Sequence, residues 1–146
     1  MIELILGNIK KMDASTALDC IEFSKQWVAE NSEKNVLDEF YALSKALTNF
    51  DALGLVGGII YVDGEIVAYT FGEPISKDLF CTHVEKAIVS MRGAYQLINR
   101  EFARNSINDF SLVNREEDLG IPGLRKAKES YHPQILLPKY IARRKT

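Results

Sequence analysis

A chain of 146 residues, 47% hydrophobic and 26% charged, has the length and composition of one globular domain with a proper core. Lys and Arg number 18 against 20 Asp and Glu, so the formal net charge is -2, which excludes a bulk polycation and does not indicate general nucleic-acid binding, while leaving room for a local basic patch. No apolar run reaches transmembrane length, and the basic residues of "MIELILGNIKKMD" follow its apolar stretch, where a secretory signal carries them in front. The reading is a cytoplasmic protein, with Cys20 and Cys81 as reduced thiols that define no metal motif.

In chain order, residues 2–6 predict a short strand closed by Gly7-Asn8. Helical periodicity begins near Ala14 behind Asp13 as cap, with Ala17, Cys20, Ile21, Ser24, Trp27 and Val28 on one face. After the polar break "ENSEKN", Leu37, Phe40, Tyr41, Ser44 and Leu47 form a second helical stripe. "LVGGIIYV" and "EIVAYTFGE" flank Asp63-Gly64, a hairpin signature, because a type I′ turn needs positive φ at both central residues. "LFCTHVEKA" predicts a third strand, and Met91, Ala94, Tyr95, Ile98 and Phe102 mark one face of a longer helix. "FSLVN" predicts another strand, Pro122 opens a brief helix, and residues 135–141 predict a closing edge strand around Pro138.

The order β-α-α-β-β-β-α-β-α-β predicts an α/β fold of the α+β kind, one mixed sheet with helices on both faces. The strands near Phe80 and Phe110, joined by the helix through Tyr95, form a parallel, right-handed βαβ unit. No metal-ligand spacing is present. Cys81 and His83 lie two apart and share a strand face, so a Cys-His nucleophilic pair is conceivable, although such neighbours rarely have that geometry.

This element order resembles that of the GNAT (N-acetyltransferase) superfamily. The segments "HVEKA", "RGAYQLINREFA", "VNREEDLGIPGLRKAKESYHP" and "LLPKY" further resemble the C-terminal domain of phosphatidylglycerol lysyltransferases and their soluble relatives, over roughly residues 37–140. The resemblance implies a single GNAT-like domain corresponding to the second half of a tandem protein. It implies transfer of an acyl or aminoacyl group to an amine or hydroxyl, with aminoacyl-tRNA or acyl-coenzyme A as donor. An acetyl-coenzyme A-dependent N-acetyltransferase is the second reading. A non-catalytic half-domain is the third, and it expects an exposed apolar surface that supports a homodimer or a tandem partner domain.

Four groups of residues are candidates for the site. Arg92, Gly93, Ala94 and Tyr95 open a helix whose N-terminus is suited to an anion; Tyr95 and Leu97 stand where the related coenzyme A motif has small residues, and an ordinary helix start is the plain alternative. Arg100 sits in mid-helix, on a solvated face or within reach of the next motif. Asn114, Arg115, Glu116, Glu117 and Asp118 follow the carboxyl end of a parallel strand, where open α/β sheets place ligands. Clustered carboxylates there call for a cation, either a substrate ammonium or Arg115, Arg125 and Lys126; the plain alternative has Asp118 capping the next helix and Glu116 pairing with Arg100. Glu85 or Glu116 is the candidate proton acceptor, and Tyr131 the candidate proton donor or else a packed ring.

Overall fold

A computed structural model describes residues 9–30 and 36–145. It divides into two compact units, one ending at Glu116 and one beginning at Glu117. The predicted strand at residues 2–6 lies outside the described residues.

The first unit is a five-stranded sheet in the order β1 (Ile9–Lys11), β2 (Val56–Val62), β3 (Glu65–Pro74), β4 (Leu79–Ala87), β5 (Leu112–Asn114). All neighbours are antiparallel except β4 and β5, which run parallel as the βαβ reading required. Asp63 and Gly64 sit at φ +52° and +80°, the paired positive angles a type I′ hairpin turn needs.

Helices cover both faces of the sheet. α1 (Ala14–Glu30) starts at a reciprocal cap. The Thr16 N–H donates to Asp13 Oδ1 at 2.8 Å, and the Asp13 N–H donates to Thr16 Oγ1 at 2.9 Å. α1 and α2 (Val36–Thr48) bury Ala17, Cys20, Leu43 and Leu47 against Ile59, Tyr69 and Phe71. On the other face, α3 (Ala94–Asn105) places Ala94, Leu97 and Ile98 against Ile60, Val67 and Ala68, while its Phe102 packs on Phe80. Burying each large side chain of this kind contributes about 1.5–3 kcal/mol.

The second helix differs from its predicted face. Val36, Leu43 and Leu47 are buried, with Phe40 packed beside them, whereas Leu37 and Tyr41 are exposed. Two apolar stripes lie one position apart on α2, and the one spaced 36, 40, 43, 47 is the one that meets the core.

Core titration sets an alkaline limit on stability. Burial pushes the Cys20 thiol up from 9.0 to about 12, with the Asp19 charge adding to it. Burial likewise raises the Tyr69 hydroxyl, against its hydrogen bond with Ser24 at 2.6 Å. Both groups keep their proton in the folded chain at a pH where the unfolded chain has lost it. Stability is therefore full below the unfolded values and falls as pH rises through them. Above about pH 9 the loss approaches about 1.4 kcal/mol per pH unit for Cys20. Melting curves from about pH 8 to 11 should fall more gently for Cys20→Ala than for the wild type; equal slopes would remove Cys20 as the cause.

The second unit holds α4 (Pro122–Glu129), which begins at Pro122 as predicted and has no buried residue. Residues 135–141 form no strand. Ile135, Leu136, Leu137, Tyr140 and Ile141 are all exposed, and no sheet neighbour takes their backbone groups among the described residues.

Candidate functional site

The ladder between β4 and β5 is short. Leu79, Phe80 and Cys81 face Leu112, Val113 and Asn114, after which β5 ends while β4 continues to Ala87. From Thr82 onward the β4 edge has no β5 residue beside it; this point, where β5 ends and β4 runs on, is the fork between the two strands.

A bulge places His83 at this fork. Across β3 and β4 the register runs Phe71 to Val84 and Gly72 to Thr82, which leaves His83 as the extra residue. Gly72 permits the distortion, because a Cβ there would lie 1.9 Å from the Cys81 carbonyl oxygen. Glu73, the next residue, is the register partner of Cys81.

The result is a compact polar cluster. His83 Nδ1 is 2.6 Å from Glu116 Oε1, and Nε2 is 2.9 Å from Glu73 Oε1. Cys81 Sγ lies 3.8 Å from His83 Nδ1 and 3.7 Å from Glu116 Oε1. Burial pushes His83 toward the neutral form, but the hydrogen bonds to Glu116 and Glu73 outweigh it, and the net shift is upward. Carboxylates at both ring nitrogens favour the charged, doubly donating imidazole, in which proton acceptance falls to the carboxylates.

The loop after β5 is built to present Glu116. Asn114 Oδ1 accepts the Glu116 N–H at 2.8 Å, and Glu116 adopts φ +58°, a left-handed conformation held by that turn. Arg115 Nη2 donates to Glu85 Oε2 at 2.8 Å with both side chains largely covered, tying the end of β5 back to β4. Glu116 pairs with His83 and not with Arg100, whose Nε instead bonds Glu101 at 2.9 Å.

The remaining candidates lie elsewhere. In the second unit, Asp118 accepts from Arg125 Nε at 2.5 Å and from the Gly120 N–H at 2.8 Å; Arg125 first, then Gly120, hold its carboxyl below the usual range. It does not cap α4, whose N-cap is Ile121 without a side-chain bond. Glu117 meets Lys139 at 3.5 Å, and Tyr131 is exposed beyond the end of α4. At the start of α3, Gly93 takes φ +85°, the Ala94 N–H donates to Met91 O, and Arg92 is exposed. Burial raises the Tyr95 hydroxyl, opposed by hydrogen bonds with the Ala87 backbone and the Trp27 side chain. Beside it, Lys86 is almost fully buried, 3.9 Å from the Trp27 ring centroid and 2.5 Å from Glu39.

Sequence reasoning passed over Glu73 and set aside Cys81 and His83. The signal was there in part: a Cys-x-His pair on one strand, and Gly72 inside the neighbouring strand, where an interior glycine marks a bulge or a close approach.

A mixed sheet that forks between two parallel strands, with helices on both faces, is the GNAT acetyltransferase fold. A ribosomal-protein-alanine N-acetyltransferase from Brucella melitensis matches with a TM-score of 0.64 at 13% identity, covering 94% of this chain and 99% of that one. The aminoglycoside acetyltransferase AAC(6')-Iy, in complex with a coenzyme A bisubstrate analogue, matches with a TM-score of 0.60 at 13% identity, covering 95% and 97%. A conserved protein of unknown function from Bacteroides thetaiotaomicron is 45% identical, with a TM-score of 0.84 over 88% of this chain. This chain spans 45% of that protein's length. No curated protein matches. The family described as "Phosphatidylglycerol lysyltransferase, C-terminal" matches residues 6–143, and the chain belongs to it. No helix among the described residues is long and apolar enough to cross a membrane.

Proposed function

We propose that this chain transfers an acyl or aminoacyl group to an amine or hydroxyl acceptor, with its reaction centre at the fork between β4 and β5. The observation that carries the reading is the Glu73–His83–Glu116 array at that fork. The acyl carbonyl lies along the β4 edge beyond Cys81, where backbone N–H groups polarise its oxygen and stabilise the charge that develops on it. Glu116 takes a proton from the attacking amine or hydroxyl. Collapse of the tetrahedral intermediate breaks the bond to the donor, whose oxygen or sulfur takes a proton back from the Glu116–His83 pair. Glu85, engaged by Arg115, holds the fork together and leaves proton transfer to Glu116.

The family's lysyltransferase name makes an aminoacyl ester the first donor class to test, and AAC(6')-Iy, solved with a coenzyme A conjugate, makes an acyl thioester the second. Tyr95 disfavours the thioester, because the sequence has this large residue where the related coenzyme A motif has a small one. The purified chain is to be offered lysyl-tRNA or acetyl-coenzyme A with small amines and glycerol phospholipid head groups, and the products read by mass spectrometry. Transfer from lysyl-tRNA is expected. If neither donor is consumed, the transfer reading falls and the chain acts by association with a partner domain.

A further inference from the structure

We propose that Cys81, His83 and Glu116 bind a zinc ion, with Glu73 orienting the histidine. The inference does not rest on the transfer reading, and the two describe different states: with zinc bound, His83 Nδ1 and Glu116 are ligands, and the proton transfers given to them above belong to the metal-free chain. Sγ of Cys81, Nδ1 of His83 and a carboxylate oxygen of Glu116 lie within 4.8 Å of one another. Zinc bound at its usual lengths in a tetrahedron sets sulfur and nitrogen or oxygen ligands about 3.5 Å apart. The two sulfur edges, 3.8 and 3.7 Å, are already close to that spacing. The third edge, 2.6 Å, is a hydrogen bond, and it opens by roughly 0.7 Å when a cation replaces the shared proton.

The second observation is at the other ring nitrogen. Nε2 of His83 bonds Glu73 at 2.9 Å, the carboxylate–histidine arrangement that fixes the tautomer and aims the opposite nitrogen at a metal. A mixed sulfur, nitrogen and oxygen set selects zinc over magnesium or calcium, which take oxygen alone. The exchange balances: one divalent cation enters, and the Nδ1 and Sγ protons leave. Three protein ligands leave a fourth position for water or a substrate oxygen. Cys81 is 6% exposed while the Glu116 side chain is 41% exposed, so the sulfur sits inward and the carboxylate faces the entry side.

The test uses the full chain, stripped with a chelator and then titrated with Zn²⁺ against a chromogenic competitor, and separately with Co²⁺. One cation per chain is expected, and the Co²⁺ form should show a thiolate-to-metal charge-transfer band in the near ultraviolet. Cys81→Ser should abolish that band and weaken Zn²⁺ at least about 100-fold; Cys20→Ala should keep both. Glu73→Gln should keep the band and weaken binding about 10- to 100-fold. Absence of the band in the wild type, or equal Zn²⁺ affinity in Cys81→Ser, overturns the site; unchanged affinity in Glu73→Gln overturns the part given to Glu73. No transfer assay enters, so an inactive chain can still pass and an active one can still fail.

Discussion

Gly72→Ala should destabilise the first unit by about 3 kcal/mol or more, a large share of the roughly 5–15 kcal/mol that holds such a domain folded. The added Cβ would meet the Cys81 carbonyl oxygen at 1.9 Å, its carbonyl carbon at 2.8 Å and the Phe80 ring at 2.8 Å. Two of those atoms are backbone, so relief requires β4 to move away from β3 at the bulge. Phe80 cannot retreat freely, because it is fully buried against Phe102 and Phe110. Gly123→Ala is the control. It has open space around its Cβ site and lies in α4, so it should be neutral or slightly stabilising. Urea unfolding measures both. A Gly72→Ala midpoint equal to the wild type would mean that β3 and β4 are not this close, and the placement of His83 would fall with it.

That glycine also marks where the sequence stops being legible. The Asp63-Gly64 turn is a local signal, because two residues with the right φ preference decide it. The parallel pairing of β4 with β5 follows from a connection that carries a helix. The His83 cluster is different. Its partners sit 10 and 33 positions away, on β3 and beyond β5, and it depends on an irregular register that no periodicity encodes. A regular β4 would have been an alternating strand with its Cys-x-His pair facing one way and no carboxylates assigned to it. The run Arg115 to Asp118 looked like one acidic patch. In the structure its members take separate partners, Glu85, His83, Lys139 and Arg125. Residues 135–141 show the opposite case: the local apolar pattern suits a strand, but a strand forms only with a partner, which a local pattern does not encode.

Glu116→Gln should reduce transfer by about 10²- to 10⁴-fold and leave the melting temperature close to that of the wild type. The amide keeps an oxygen for His83 Nδ1 and keeps the backbone turn that Asn114 holds, so the local geometry survives. What it loses is the negative charge and the basic oxygen at the fork. In the metal-free protein, burial already pushes His83 down; with Glu116 neutral, Glu73 alone opposes it, and the imidazole should titrate lower than in the wild type. Proton NMR of the ring reads that shift directly. A fall in rate together with the shift ties the chemistry to the His83–Glu116 pair. A Glu116→Gln chain that transfers as fast as the wild type but melts well below it makes the carboxylate a structural anchor for the β5 loop. The proton acceptor would then have to be sought at Glu73, which meets the same ring from the other nitrogen.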